Sequence, residues 1–157
     1  MGKTAVFVIS TLQMLDLDKN NKNVQVIVIA HTRELAYQIH REYIRFTTAM
    51  PDVKIAVFIG GVSINEDREV LATHPSIVVG TPGRLCELIR KKELNTSGVK
   101  HFVVDECDHI IESQKMRGQM QDIFMACKCD KQVMMFTATL PDRVKEICRK
   151  YMVDVSE

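Results

Sequence analysis

The sequence predicts a three-layer α/β domain, with a mostly parallel sheet flanked by helices. Short β-branched runs, apolar at successive positions as in strands buried on both faces, alternate with longer amphipathic stretches. That alternation is the pattern of repeated strand-helix-strand units. The length of 157 residues, with 46% hydrophobic and 26% charged content, suits one core and one domain.

Residue 1 is followed at once by Gly2-Lys3-Thr4 and an apolar stretch, AVFVISTLQML, that predicts a helix with no strand before it. The polar run DLDKNNKN, residues 16–23, reads as a surface loop. Strands are expected at Val24 to Ala30, Lys54 to Ile59, Ser76 to Gly80, His101 to Asp105 and Gln132 to Thr137. Helices are expected at Arg33 to Ala49, Asn65 to Thr73, Pro82 to Lys92, Ser113 to Ala126 and Pro141 to Tyr151. Asn65 can cap its helix, with Glu66 and Asp67 favourable to the dipole, and Pro82 sits where a first turn tolerates it.

A net charge of +1 and a pI near 7.7 create no global field for nucleic acid, so a polyanion site would need local donors. Five cysteines, Cys86, Cys107, Cys127, Cys129 and Cys148, form no CxxC pair and argue against a disulfide framework. Cys127 and Cys129 lack a second ligand pair, so they read as buried or bystander thiols rather than zinc ligands. His40, His74, His101 and His109 show no ligand spacing, and the nine methionines read as core filler. No signal peptide or membrane-length apolar run is present, which predicts a soluble intracellular protein without a membrane partner.

Two segments carry chemistry. Gly2-Lys3-Thr4 has the composition of the end of a phosphate-binding loop. There a glycine admits close backbone approach, a lysine reaches outer phosphates and a hydroxyl ligates magnesium. The helix that follows would aim its first N–H groups at the same phosphates. Three residues of this kind also occur by chance, as a frayed terminus. His101-Phe102-Val103-Val104-Asp105-Glu106 is an apolar strand ending in two carboxylates, at the end where an open α/β sheet binds ligands. Asp105 is the candidate magnesium ligand and Glu106 the candidate base for a water attacking the γ-phosphoryl. Two acids at a solvated strand end are the plainer alternative.

Asp105-Glu106-Cys107-Asp108 resembles the DEAD box with cysteine for alanine. His31-Thr32-Arg33-Glu34-Leu35-Ala36 is similar to PTRELA, Gly60-Gly61 to the glycine doublet, Thr81-Pro82-Gly83-Arg84 to TPGR and Thr137-Ala138-Thr139 to SAT. Five segments in one order identify the chain with the DEAD-box RNA helicases. His31 for proline and Cys107 for alanine place it in the DECD branch, associated with spliceosome assembly and messenger RNA export.

The resemblance implies a RecA-like P-loop NTPase domain over residues 1–157, cut within its phosphate loop and lacking the second helicase domain. It further implies ATP and Mg2+ as cofactors, bound by Gly2, Lys3, Thr4, Asp105 and Glu106, with Thr4 and Asp105 on the metal and Glu106 catalytic. Thr32, Arg33, Gly61, Thr81, Gly83 and Arg84 are implied to grip the RNA backbone. Asp108, Thr137 and Thr139 are implied to link the ATP site to the RNA face by hydrogen bonds. The implied partners are RNA, the second helicase domain and splicing or export factors, in the nucleus.

Ordinary alternatives stand beside these roles: Thr32 and Thr81 as helix caps, Gly60-Gly61 as a turn, and Arg33 and Arg84 as solvated residues at helix starts. A protein-interaction module without hydrolysis is a second reading of the whole. A DNA-directed NTPase is a third, which the DECD, HTRELA and TPGR set disfavours.

Overall fold

The computed structural model describes residues 2–128 and 130–152; Met1, Cys129 and residues 153–157 lie outside them. Among these described residues, five strands form one sheet: β1 (Val26–Ile29), β2 (Ile55–Phe58), β3 (Ile77–Gly80), β4 (His101–Val104) and β5 (Gln132–Met135). Their order is β2-β3-β1-β4-β5 and every pairing is parallel. Each strand lies inside its expected run, shorter by one to three residues.

Register decides where function can sit. Phe58 is level with Gly80, Gly80 with Ile29, Ile29 with Val104, and Val104 with Met135. All five strands therefore end in one row, and the segments that follow them emerge along a single edge. Gly80 is required in that row, because a Cβ there would lie 2.6 Å from the Phe58 carbonyl oxygen and 2.8 Å from the Leu85 side chain.

Among the described residues, seven helices surround the sheet: α1 (Gly2–Gln13), α2 (Arg33–Phe46), α3 (Ile64–Leu71), α4 (Pro82–Arg90), α5 (Cys107–Glu112), α6 (Gln114–Ala126) and α7 (Asp142–Arg149). Alternate strand residues feed two cores. Val26, Val28, Val79 and Val103 pack with Phe7 and Val8 of α1 and Ala36, Ile39 and Tyr43 of α2. Ile27, Ile29, Phe58, Val78 and Phe102 pack with Leu85 and Leu88 of α4, Ile110 of α5, Met120 and Ile123 of α6 and Val144 of α7. These are the three layers the alternation predicts. Burial on both faces explains why the inner strands read as unbroken apolar runs.

Two local expectations are corrected. Ser63, not Asn65, caps α3, accepting from the Asn65 N–H, while Asn65 Oδ1 accepts from Arg68. Serine at this position satisfies an orphan helix donor in the same way. Helix α5 was not expected; it is a six-residue piece opening directly after Glu106 and ending at Ser113, which caps α6. Cys86, Cys107 and Cys148 are buried free thiols, Cys127 is buried as well, and among the described residues no helix is long and apolar enough to cross a membrane.

Candidate active site at the carboxyl edge of the sheet

Gly2, Lys3 and Thr4 form the first turn of α1, and its buried side packs on α2. The contact is pinned by Thr11, whose hydroxyl lies 2.8 Å from the buried Tyr43 hydroxyl and also donates to the Phe7 carbonyl. Across from this turn, Asp105 leaves the end of β4, where its N–H donates to the Ile29 carbonyl. Its side chain is 6% exposed. Burial raises the Asp105 carboxyl above its ordinary range, while the Glu106 N–H bonded to Oδ1 at 2.9 Å and the Lys3 ammonium act to lower it. A buried carboxylate whose ionised form is under-compensated is suited to receive a cation.

Glu106 adopts a left-handed conformation, φ 46° and ψ 49°, uncommon for a residue with a Cβ. This turn reverses the chain between β4 and α5 and separates the two carboxylates, leaving Glu106 partly exposed while Asp105 is buried. Lys3, Thr4, Asp105, Glu106 and Thr137 line one cleft of about 1050 Å³. Leu35, Gln38, Arg41 and Glu42 of α2 complete its wall. The i, i+3 spacing of Leu35, Gln38 and Arg41, with Glu42 four after Gln38, puts these side chains on one face of α2.

Residues 137–139 tie this cleft to α5. Lys3 Nζ donates to the Thr137 carbonyl, Thr137 Oγ1 donates to the Thr139 carbonyl, and Thr139 Oγ1 donates to Asp108 Oδ2 at 3.1 Å. Burial acts to raise the Asp108 carboxyl, but the Thr137 and Thr139 hydroxyls and the neighbouring His109 outweigh it and hold it below the usual range. All three residues assigned to coupling are thus in one chain of contacts that begins at Lys3.

A second hollow, about 600 Å³, opens beside the first, lined by Thr32, Arg33, Gly60, Thr81, Gly83 and Arg84 among others. Thr32 caps α2, accepting from the Leu35 N–H at 3.1 Å. Thr81 occupies the equivalent place on α4 but makes no capping bond. Gly61 has φ +88°, and a Cβ there would lie 3.1 Å from the Arg33 guanidinium, so the doublet forms a turn against which Arg33 rests. Arg33 is exposed and has no ion pair among the described residues.

Arg84 differs from its expected solvated alternative. It is 9% exposed, donates to Asp67 Oδ2 at 2.6 Å and the Val62 carbonyl at 2.7 Å, and meets Glu87 through Nε at 3.2 Å. Its charge is taken up inside the domain, because α3 brings Asp67 beneath the start of α4.

One cluster was not anticipated. His31 Nδ1 lies 3.1 Å from Glu106 Oε2, without the alignment of a hydrogen bond, and the His31 ring stacks on His109 with centroids 4.5 Å apart. His109, read from the sequence as a surface or core residue without ligand spacing, thus lies against His31 and next to Glu106.

Comparison with known proteins follows the same lines. Residues 1–147 match the DEAD/DEAH box helicase family. The chain belongs to that family. It is 53% identical to the ATP-dependent RNA helicase WM6 of Drosophila melanogaster over 100% of its length and 37% of that protein's. It is 56% identical to the ATP-dependent RNA helicase SUB2-1 of Vanderwaltozyma polyspora, over 97% of the chain and 35% of the relative. The chain thus spans little more than a third of these relatives. Among solved structures, it superposes on a DEAD box protein from the hyperthermophile Methanococcus jannaschii with a TM-score of 0.89 at 35% identity, covering 99% of this chain and 41% of the other. The yeast DEAD-box splicing factor Prp28 gives 0.85 at 28% identity, covering 97% and 37%. Both neighbours carry this helicase-family fold, in agreement with the RecA-like domain expected from the motifs.

Proposed function

We propose that this domain is the ATP-binding half of an ATP-dependent RNA helicase, which couples ATP binding and hydrolysis to sequence-independent binding and remodelling of RNA. The observation that carries the reading is the shared cleft: Lys3 and Thr4 of α1 line it together with Asp105 and Glu106, which follow β4, as phosphoryl transfer to water requires. Gly2 and the first N–H groups of α1 would receive phosphate oxygens. A hydroxyl and a buried carboxylate form a hard-oxygen donor set suited to magnesium, so Thr4 and Asp105 are its proposed ligands. Magnesium, when bound, neutralises charge on the outer phosphates. Glu106, more exposed than Asp105 and off the metal, is placed to accept a proton from the attacking water.

Lys3 also has a second partner, the Thr137 carbonyl. Engagement of Lys3 by phosphate would loosen that contact and so reach Thr139 and Asp108, giving these residues the proposed coupling role. On the neighbouring hollow, Arg33, the Thr81 hydroxyl, and the backbone at Gly61 and Gly83 supply phosphate donors, with Thr32 at the start of α2. Arg84 lines the same hollow and, with one N–H on each terminal nitrogen beyond its bonds to Asp67 and Val62, is a further proposed backbone donor, while those bonds fix α3 beneath the start of α4.

The share of the relatives that the chain covers supports a second helicase domain as the partner that closes the cleft. Relatives named as ATP-dependent RNA helicases support action on RNA, and the resemblance to the DECD branch, carried by His31 and Cys107, is the ground for proposing work in splicing and messenger RNA export, in the nucleus and with protein factors of those processes. Steady-state ATP hydrolysis by the two-domain protein, with and without single-stranded RNA, tests the reading. RNA should stimulate hydrolysis and Lys3→Ala should abolish it; hydrolysis indifferent to RNA would contradict the proposal.

A further inference from the structure

We propose that His31, Glu106 and His109 form a binding site for one late first-row divalent cation of the zinc class, beside the proposed magnesium position. Each residue offers one ligand atom, and the three atoms lie within 4.8 Å of one another. His31 Nδ1 is a buried nitrogen without a hydrogen-bond partner, held 3.1 Å from the Glu106 carboxylate. Glu106 stands at a left-handed turn, and its carboxylate lies beside His31, which follows β1. His109, exposed on the first turn of α5, is the member that can rotate from its stack on His31 to aim a lone pair at the shared ion. Two imidazoles and one carboxylate select zinc, cobalt or nickel over magnesium, which demands oxygen ligands, and they leave a fourth position for water. An ion there would engage the Glu106 carboxylate and withdraw it from water activation, a consequence that rests on the function proposed above.

The test is a titration of the purified protein with cobalt chloride near neutral pH, followed by visible absorption and by displacement with zinc. Saturable binding at one equivalent is expected, with the ligand-field bands of nitrogen and oxygen ligation and no thiolate charge-transfer band. His109→Phe keeps an aromatic ring on His31 and should weaken binding more than about tenfold, since loss of a ligand exceeds loss of a supporting contact. Glu106→Gln should weaken it as well, and Cys148→Ala should not. Absent binding, equal affinity in His109→Phe, or a thiolate band abolished by Cys148→Ala would overturn the site. Site-specific binding that leaves ATP hydrolysis unaffected would support the ion site and count against the base role of Glu106.

Discussion

Arg84 Nη1 donates to Asp67 Oδ2 at 2.6 Å, with the two side chains 9% and 5% exposed, so the TPGR segment is tied to α3 through a buried ion pair. Removing one partner of such a pair strands the other charge, at a cost of about 3–5 kcal/mol. Arg84→Ala should lower the urea midpoint of unfolding accordingly. Retention of wild-type stability would contradict the structural role assigned to Arg84.

Arg33 makes the opposite prediction, because it is exposed and unpaired among the described residues. In the two-domain protein, Arg33→Ala should leave the unfolding midpoint unchanged and weaken RNA binding by similar factors for different base sequences. The salt dependence of log K should become shallower by about one unit of slope, as for one lost phosphate contact. A loss confined to one sequence would contradict a backbone grip.

The contrast between these two arginines marks what the sequence could and could not reveal. Both stand near helix starts and both belong to recognisable motifs, but Asp67 meets Arg84 from another helix, 17 residues away, and no local pattern announces that meeting. The inner strands were legible because both their faces are buried, which writes unbroken apolar runs. Helix α5 was not, since six residues following a left-handed Glu106 are too few to show a period. His31 and His109 lie on segments that the β1–β4 pairing brings side by side, so their stack depends on strand order rather than spacing. The motif residues were found by resemblance. That they share one edge follows from the register row from Phe58 to Met135.

His101 predicts a pH dependence of stability. It is 7% exposed, its Nδ1 has no hydrogen-bond partner, and burial holds its pKa below the ordinary 6.5. The unfolded chain then binds a proton that the folded chain resists, so this contribution is complete above 6.5 and declines as pH falls below it. Urea midpoints measured from about pH 7 to about pH 5.5 should fall, and should fall less in His101→Phe. Identical slopes in the two proteins would remove His101 as the cause.

The division of labour between the two carboxylates is the centre of the account, and single-turnover hydrolysis by the two-domain protein, with nucleotide affinity measured in parallel, tests it most directly. Glu106→Gln should slow hydrolysis by about 10²-fold or more while leaving Mg-ATP affinity near wild type, because it removes a base without removing the proposed metal ligand. Asp105→Asn should weaken Mg-ATP binding itself. Equal loss of affinity in both variants, or undiminished hydrolysis in Glu106→Gln, would contradict the assignment.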